Sequence, residues 1–187
     1  MTPPVLNTSR LRLEPLTEQH FPAFAAVLKD RETMSYYPHP FDDIAVKGWI
    51  SRNLDFWRQH SYGRFAVIRQ SDNQLLGDAG LMRLTVNEQE VNDIGWVIHR
   101  DHWGSGYASE AAAAVRDDAF DRLSLDALHA NMPVDHPASR KVAEHIGMVE
   151  IMRFSNPKNR NIETHLLELT LSRYREMTRG QPTSAAR

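Results

Sequence analysis

A short glycine-containing turn in the middle of the chain constrains the fold more than any other feature. The segment Gly104-Ser105-Gly106 lies between a predicted strand ending near His99 and a long predicted helix, which is rich in alanine over residues 111–114. A strand that enters a helix through such a turn leaves several backbone N–H groups without an intrahelical partner. Their field and the helix dipole favour an anion, and glycine lets a phosphate approach closely. The turn therefore predicts a strand–turn–helix unit that could bind an anion.

The hydrophobic period changes repeatedly along the rest of the chain, which predicts short strands and helices. The predicted strands cover residues 11–13, 65–68, 75–84, 92–99, 125–132, 148–154 and 163–171. The predicted helices are one capped by Thr17, one following Asp42 and Asp43, one from about residue 104 to 123, and one over 138–146 that Gly147 ends. We expect a single α/β (α+β) domain over residues 1–175, with a mixed, mostly antiparallel sheet of about seven strands flanked by about four helices. Residues 176–187 are expected to form a disordered tail.

Composition excludes several classes of function. The 187 residues include 24 acidic and 22 basic side chains, a net charge of −2, and no polybasic run marks a nucleic-acid surface. No apolar stretch is long enough to span a membrane, and the N-terminus lacks the pattern of a signal peptide. The absence of cysteine excludes disulfides and a cysteine acyl intermediate. We therefore expect a cytoplasmic protein with neither a nucleic acid nor a membrane as partner.

Three interpretations of the glycine turn compete when it is considered alone. A dinucleotide-binding fingerprint needs a third glycine where the chain has Ser109, and a parallel context that the preceding hairpin argues against. A P-loop needs Gly-Lys-Ser or Gly-Lys-Thr, which does not occur. The third interpretation is a tight helix start that binds nothing, and the turn by itself leaves it open.

The longer segment from Trp103 to Ala111 resembles the acetyl-CoA loop of the GNAT acetyltransferases, specifically the RimJ/RimL type that acetylates protein N-termini and small amines. Three further segments resemble that family in the same order: 8–13, 93–99 and 138–148. The resemblance implies a GNAT fold and direct transfer of an acetyl group from acetyl-CoA to a primary amine in a ternary complex. The alternative is a catalytically degenerate GNAT that acts as an acyl-CoA-binding sensor or regulatory module.

Two positions depart from the family pattern. Asp101 stands where the wider superfamily prefers Gln or Arg, although RimJ/RimL-like chains often differ there. His136 stands where the second conserved helix usually begins with Asn, which puts the usual hydrogen bond from this position to the cofactor in doubt.

The resemblance implies a set of residues that hold the cofactor. A backbone N–H at a strand bulge around residues 97–99 would polarise the thioester carbonyl, and the open strand edge there would pair with the pantetheine arm. Arg140 and Lys141 could reach the nucleotide phosphates but are more often solvated. The implied cofactor-binding residues are Val97, Ile98, His99, Trp103, Gly104, Ser105, Gly106, Tyr107, Ala108, Ser109, His136 and Ser139.

Acetyl transfer to an amine first requires that the amine lose its proton, because an α-amino group has a pKa near 7.7–8.0 and a lysine-like amine about 10.4. Asp93 is the first candidate for the general base, and Glu90 and Glu163 are the alternatives. Asp93 is equally compatible with a simple strand-edge turn. Ser139 is the candidate for contact with the leaving thiol, and its alternative role is to satisfy a backbone N–H in the first turn of a helix.

Aromatic residues and histidines complete the candidate set. Tyr36, Tyr37 and Trp49 are predicted to line the acceptor cleft, with core or loop packing as the alternative. The nine histidines show no zinc-binding spacing, so we expect no metal. The sequence leaves the acceptor open between a peptide N-terminus and a small amine such as a polyamine, amino acid or aminoglycoside. The resemblance also allows a homodimer.

Overall fold

A computed structural model describes residues 3–86 and 88–179. The strands are β1 (Leu6–Asn7), β2 (Leu11–Pro15), β3 (Arg64–Arg69), β4 (Leu75–Val86), β5 (Gln89–Ile98), β6 (Ala127–Pro133), β7 (Val149–Asn156) and β8 (Ile162–Thr170). The helices are α1 (Phe21–Lys29), α2 (Asp43–His60), α3 (Tyr107–Asp121), α4 (Pro137–His145) and α5 (Leu171–Thr178). Within those described ranges, no helix combines the length and apolar character needed to cross a membrane.

All eight strands form one sheet in the order β1-β2-β3-β4-β5-β6-β8-β7. Only the β5–β6 pair is parallel, and the other six neighbouring pairs are antiparallel. The prediction of a mixed, mostly antiparallel α/β domain is confirmed, as is the β3–β4 hairpin. The structure adds one strand and one helix to the expected numbers. β1 has two residues, too few to show a hydrophobic period.

Helix α5 is the element that the sequence analysis missed. Residues 176–178 were assigned to a disordered tail, but they belong to this helix. Tyr174 explains the docking of α5, because its buried ring stacks on Phe120 of α3 with centroids 4.6 Å apart and an interplanar angle of 20°. Residues 180–187, the rest of the predicted tail, lie outside the described residues.

Glycines in the left-handed region set the ends of two helices. Gly104 and Gly106 have φ angles of +72° and +79°, so α3 begins only at Tyr107 rather than at residue 104. Gly147, with φ +95°, ends α4 as predicted, and the Met148 N–H donates to the Ala143 carbonyl at 3.0 Å. This six-to-one bond is typical of a Schellman C-cap.

The helices cover both faces of the sheet. One core cluster joins α1 and α2 to one face and includes Phe24, Ile50 and Val97. A larger cluster joins α3 and α4 to the other face and includes Ile94 and Ile98 of β5. Because side chains alternate along a strand, residues 93, 95 and 97 of β5 face α1 and α2, whereas residues 94, 96 and 98 face α3.

A buried ion pair lies on the α1/α2 face, beneath β5. Arg64 of β3 donates through Nε and Nη2 to the two carboxylate oxygens of Asp78 on β4, with the second bond at 2.8 Å. Asp78 is fully buried and Arg64 is 6% exposed. The backbone of Arg64 is also bonded to Asn53 and Trp57 of α2. The two side chains therefore connect β3, β4 and α2 in the interior.

We predict that Asp78→Asn lowers the free energy of unfolding by about 3–5 kcal/mol, because it leaves the Arg64 guanidinium buried without its counter-charge. Urea denaturation followed by circular dichroism measures this loss. The double variant Arg64→Met/Asp78→Leu removes both charges and is expected to recover most of it. A loss below about 1 kcal/mol in the single variant, the value of a surface pair, would contradict the prediction.

Candidate active site

Strands β5 and β6 separate at the edge of the sheet where both end. They are parallel and pair only at Asp93 and His129 within the described ranges. The His99 N–H donates to the Leu76 carbonyl at 2.8 Å, so the odd-numbered residues of β5 direct their backbone groups toward β4. The backbone N–H and C=O groups of Trp96 and Ile98 therefore point toward the opening beside β6. The result is a slot with an open strand edge on one wall.

The glycine loop lies directly after that open edge. The Trp103 indole N–H donates to the Ile98 carbonyl at 2.7 Å, which folds the loop back onto the end of β5. The first intrahelical bond of α3 runs from the Glu110 N–H to the Gly106 carbonyl, at 3.1 Å. The N–H groups at positions 107–109 thus precede the hydrogen-bonded ladder of a 15-residue helix. Such N–H groups are available to an anion, so binding of an anion here stays a prediction, and the loop with these N–H groups is called the cradle.

Three residues outside the predicted set hold this cradle in place. The Glu110 carboxylate accepts hydrogen bonds from the Thr8 hydroxyl at 2.5 Å, the Arg10 N–H at 2.9 Å and Arg10 Nε at 2.6 Å. Arg10 Nη1 donates to the Ser105 carbonyl at 2.9 Å, and its guanidinium lies 4.6 Å from the Tyr107 ring centroid. Thr8, Arg10 and Glu110 lie in segments that resemble the family. The resemblance did not indicate that they are bonded to each other across about 100 residues.

The predicted bulge around residues 97–99 is wrong. The β4–β5 register is continuous from Gly77 opposite Ile98 to Val86 opposite Gln89. His99 instead precedes a 3-10 turn, Arg100–His102, and its Nδ1 accepts from the Asp101 N–H at 3.4 Å. Val97 and Ile98 are buried, and His99 is half-buried. The open edge of β5 thus comes from the loss of β6 as a neighbour.

Asp93 lies where β5 and β6 make their only described bridge. It is 8% exposed, and its Oδ1 accepts from Asn131 Nδ2 of β6 at 2.7 Å. Burial raises the pKa of Asp93 to about 7, while the hydrogen bond from Asn131 and the charge of Arg64 act in the opposite direction. A small cavity of about 80 Å³ reaches Asn131, so there is room for water beside this pair.

The two alternative bases have ordinary surface environments. Glu90 is exposed and pairs with Arg83 at 2.8 Å in the β4–β5 hairpin. Glu163 is exposed near the start of β8. Of the three candidates, the structure buries only Asp93.

The start of α4 borders the same edge of the sheet, because α3 and α4 follow two parallel strands. His136 is the N-cap residue of α4, and its ring stacks on Tyr36 with centroids 3.6 Å apart and an interplanar angle of 5°. Burial lowers the pKa of His136 to about 4, so its imidazole is neutral at pH 7. Ser139 is half-buried in the first turn of α4. Arg140 instead bonds Glu144 and Glu150, while Lys141 is exposed.

A cavity of about 440 Å³ opens beside the Tyr36–His136 stack, and Tyr36 lines it. Tyr37 and Trp49 do not line it. Trp49 donates to Asp78 at 3.2 Å, and burial raises the pKa of Tyr37 to about 12. The assignment of these two residues to the acceptor cleft stays a prediction.

Comparisons with known proteins agree with this geometry. The model of the family described as "Acetyltransferase (GNAT) domain" matches residues 10–149. The uncharacterized protein YkkB of Bacillus subtilis is 29% identical over 76% of this chain and 84% of its own. A GNAT-family acetyltransferase from Bacillus anthracis has a TM-score of 0.78 at 22% identity, covering 90% of this chain and 99% of that chain. The structure of RimL, a ribosomal L7/L12 α-N-protein acetyltransferase in complex with coenzyme A, has a TM-score of 0.75 at 13% identity, covering 89% of this chain and 98% of that chain.

These structural likenesses establish the fold, and the match to the family model over most of the chain establishes the family. The chain belongs to the GNAT acetyltransferase family and is an acyltransferase.

Proposed function

We propose that this protein is an N-acetyltransferase that transfers the acetyl group of acetyl-CoA directly to a primary amine, within a ternary complex. The observation that carries the proposal is Asp93, a buried carboxyl group with a pKa of about 7 beside the slot between β5 and β6. A general base acts best when its pKa is near the working pH. Unlike Asp78, Asp93 does not share a bidentate ion pair with Arg64, so ionising it costs stability, and a role as general base would account for its place there.

The residues of the glycine loop suit the pyrophosphate of coenzyme A. Gly104 and Gly106 both adopt left-handed backbone angles, and a Cβ added at Gly104 would meet no atom within 4 Å, so the loop surface is open. The N–H groups at the start of α3 would hold the phosphates, and Arg10 would add a positive charge beside them. The backbone groups of Trp96 and Ile98 would pair with the amides of the pantetheine arm. When bound, acetyl-CoA supplies a thioester next to Asp93 and α4.

Proton transfer is assigned to the side chains around that slot. Asp93 would accept the proton of the amine through a water molecule, and Asn131 would hold its carboxylate in position. Ser139 would donate a hydrogen bond to the departing thiolate, whose reference pKa near 8.5 makes this help less critical. His136 is neutral and stacks on Tyr36, so it would form part of the wall of the site without adding a charge.

The RimJ/RimL type is the subgroup that we propose, on the basis of the segments quoted above. RimL, which acts on a protein N-terminus according to its description, shares the fold. An α-amino group also matches a base with a pKa of about 7 better than a lysine amine does, because its own pKa is lower. Both peptide N-termini and small amines remain within the proposed acceptor class.

We predict that acetyl-CoA stabilises the protein against heat. A ligand at 100 times its dissociation constant adds about 2.7 kcal/mol, which corresponds to a shift in melting temperature of roughly 5–10 °C for a domain of this size. Gly106→Val should abolish the shift, because φ near +79° strains a branched residue and its side chain would hinder the approach of a phosphate. Differential scanning fluorimetry measures both.

A matched glycine variant controls for unspecific effects of that substitution. Gly48→Ala in α2 should keep the full shift, because Gly48 lies within a helix away from the loop. Far-UV circular dichroism of Gly106→Val should match that of the wild type. An unchanged acetyl-CoA shift in a folded Gly106→Val protein would place the phosphate site elsewhere.

We predict opposite effects of Asp93→Asn on activity and stability. Loss of the base should lower kcat by about 10²–10⁴-fold and remove the fall in rate below pH 7, with partial recovery at high pH. The pKa of Asp93 is higher in the folded than in the unfolded state, so its favourable contribution to stability is complete below about pH 4 and disappears as the pH rises through 7. The variant should therefore unfold at a higher urea concentration than the wild type at pH 8.

Both readouts are accessible with simple assays. The chain contains no cysteine, so a thiol reagent detects only the coenzyme A that is released. Ser139→Ala should show a smaller loss of kcat that high pH does not recover. Parallel pH profiles for the two variants, or wild-type turnover of Asp93→Asn at pH 7, would show that Asp93 is not the base. Acetyl-CoA binding without thiol release from any amine would favour the sensor alternative.

A further inference from the structure

The cavity beside Tyr36 lies next to the proposed transfer site but has its own chemistry. Its lining comes from three segments: the stretch between α1 and α2, the β6–α4 connection and the β7–β8 turn. The lining residues are Ser35, Tyr36, Asp135, Arg160 and Ile162. With a volume of about 440 Å³, the cavity is of the size that holds a small molecule.

Hydrogen bonds between the three segments fix the cavity walls. The Tyr36 hydroxyl donates to the Asp135 carbonyl at 3.3 Å, and Asn159 Nδ2 donates to the Tyr36 carbonyl at 2.9 Å. Arg160 Nε in turn donates to Asn159 Oδ1 at 3.2 Å. Asp135 and Arg160 are thus placed on segments that are both bonded to Tyr36.

Two opposite charges line the cavity without neutralising each other. Within residues 3–86 and 88–179, neither the carboxylate of Asp135 nor the guanidinium of Arg160 forms an ion pair. By contrast, Arg140 and Arg153 both pair with Glu150. A cavity with one free charge of each sign is complementary to a molecule that carries both.

We propose that the acceptor is a small amine that also carries a carboxylate, as an amino acid does. This inference rests on the proposed function and specifies its substrate class. Arg160 binds the acceptor carboxylate, for which a guanidinium offers two parallel N–H donors. Asp135 receives the amine end, and it directly precedes α4, whose first turn contains Ser139. A diamine would bring its second ammonium group against Arg160, and like charges at contact repel.

The experiment measures release of coenzyme A from acetyl-CoA with the common L-amino acids as acceptors. For each amino acid that reacts, its amide, its decarboxylated amine and 1,4-diaminobutane are then compared by kcat/KM. We expect the free amino acid to exceed both matched derivatives by about tenfold or more, the value of one charge-assisted hydrogen bond. The amide has the less basic amine, so amine reactivity alone would favour the opposite order.

Substitutions of Arg160 test whether the cavity causes the preference for an acceptor with a carboxylate. Arg160→Gln should raise KM for the amino acid by about tenfold with little change in kcat, and bring acid and amide to similar kcat/KM. Arg160→Glu should reverse the order in favour of the diamine. Arg58→Gln is the matched control, because Arg58 is exposed on α2 and pairs only with Asp55.

The possible results distinguish a failure of this inference from a failure of the proposed acetyltransferase function. Turnover of amines with no preference for a carboxylate, or a preference that Arg160→Gln leaves intact, would overturn the inference while the acetyltransferase function stands. Absence of thiol release from every amine and peptide tested would overturn the proposed function and the inference together. A carboxylate preference that disappears in Arg160→Gln but persists in Arg58→Gln would support both.

Discussion

The ion pair between Arg64 and Asp78 is the interaction on which the interior of this protein depends. It fixes β3 against β4, and a Cβ at Gly95 of β5 would lie 2.8 Å from Arg64 Nη1, so a larger residue there would have to displace the end of the Arg64 side chain. Arg64 also affects the pKa of Asp93, which lies two residues before Gly95 on β5. Burial raises the pKa of Asp93 to about 7, and the hydrogen bond from Asn131 and the charge of Arg64 offset that rise only in part.

The active-site region is built where regular pairing ends. β5 and β6 share one bridge and then separate, which exposes the backbone of β5 and brings the starts of α3 and α4 to one edge. Parallel strands followed by helices place two helix N-termini side by side, and ligands of open α/β sheets bind at such carboxyl ends. The glycine loop follows the end of β5, and the cavity beside Tyr36 borders the connection from β6 to α4.

Sequence reasoning predicted the elements and the loop because both depend on local patterns. Alternation and helical periodicity predict the order of strands and helices. The residue type at Gly104 and Gly106 already indicates a left-handed backbone there. It missed what depends on distant partners. Asn131 was not distinguishable from any polar strand residue until β6 lay beside β5. Helix α5 has a tail-like composition, and its docking depends on distant partners such as Phe120, Asp121 and Gly147. The bulge expected around residues 97–99 came from the resemblance, and the continuous β4–β5 register excludes it.

The bonds from Thr8 and Arg10 to Glu110 have a consequence for the order of folding. They join residues about 100 positions apart, so the cradle is complete only after the first strand has docked on a helix from the middle of the chain. Contacts of such long sequence separation form late, since the loop-closure entropy must be overcome first. On the ribosome, β2 emerges long before its partners and must wait for them. The glycine loop thus reaches its final geometry among the last parts of the nascent chain.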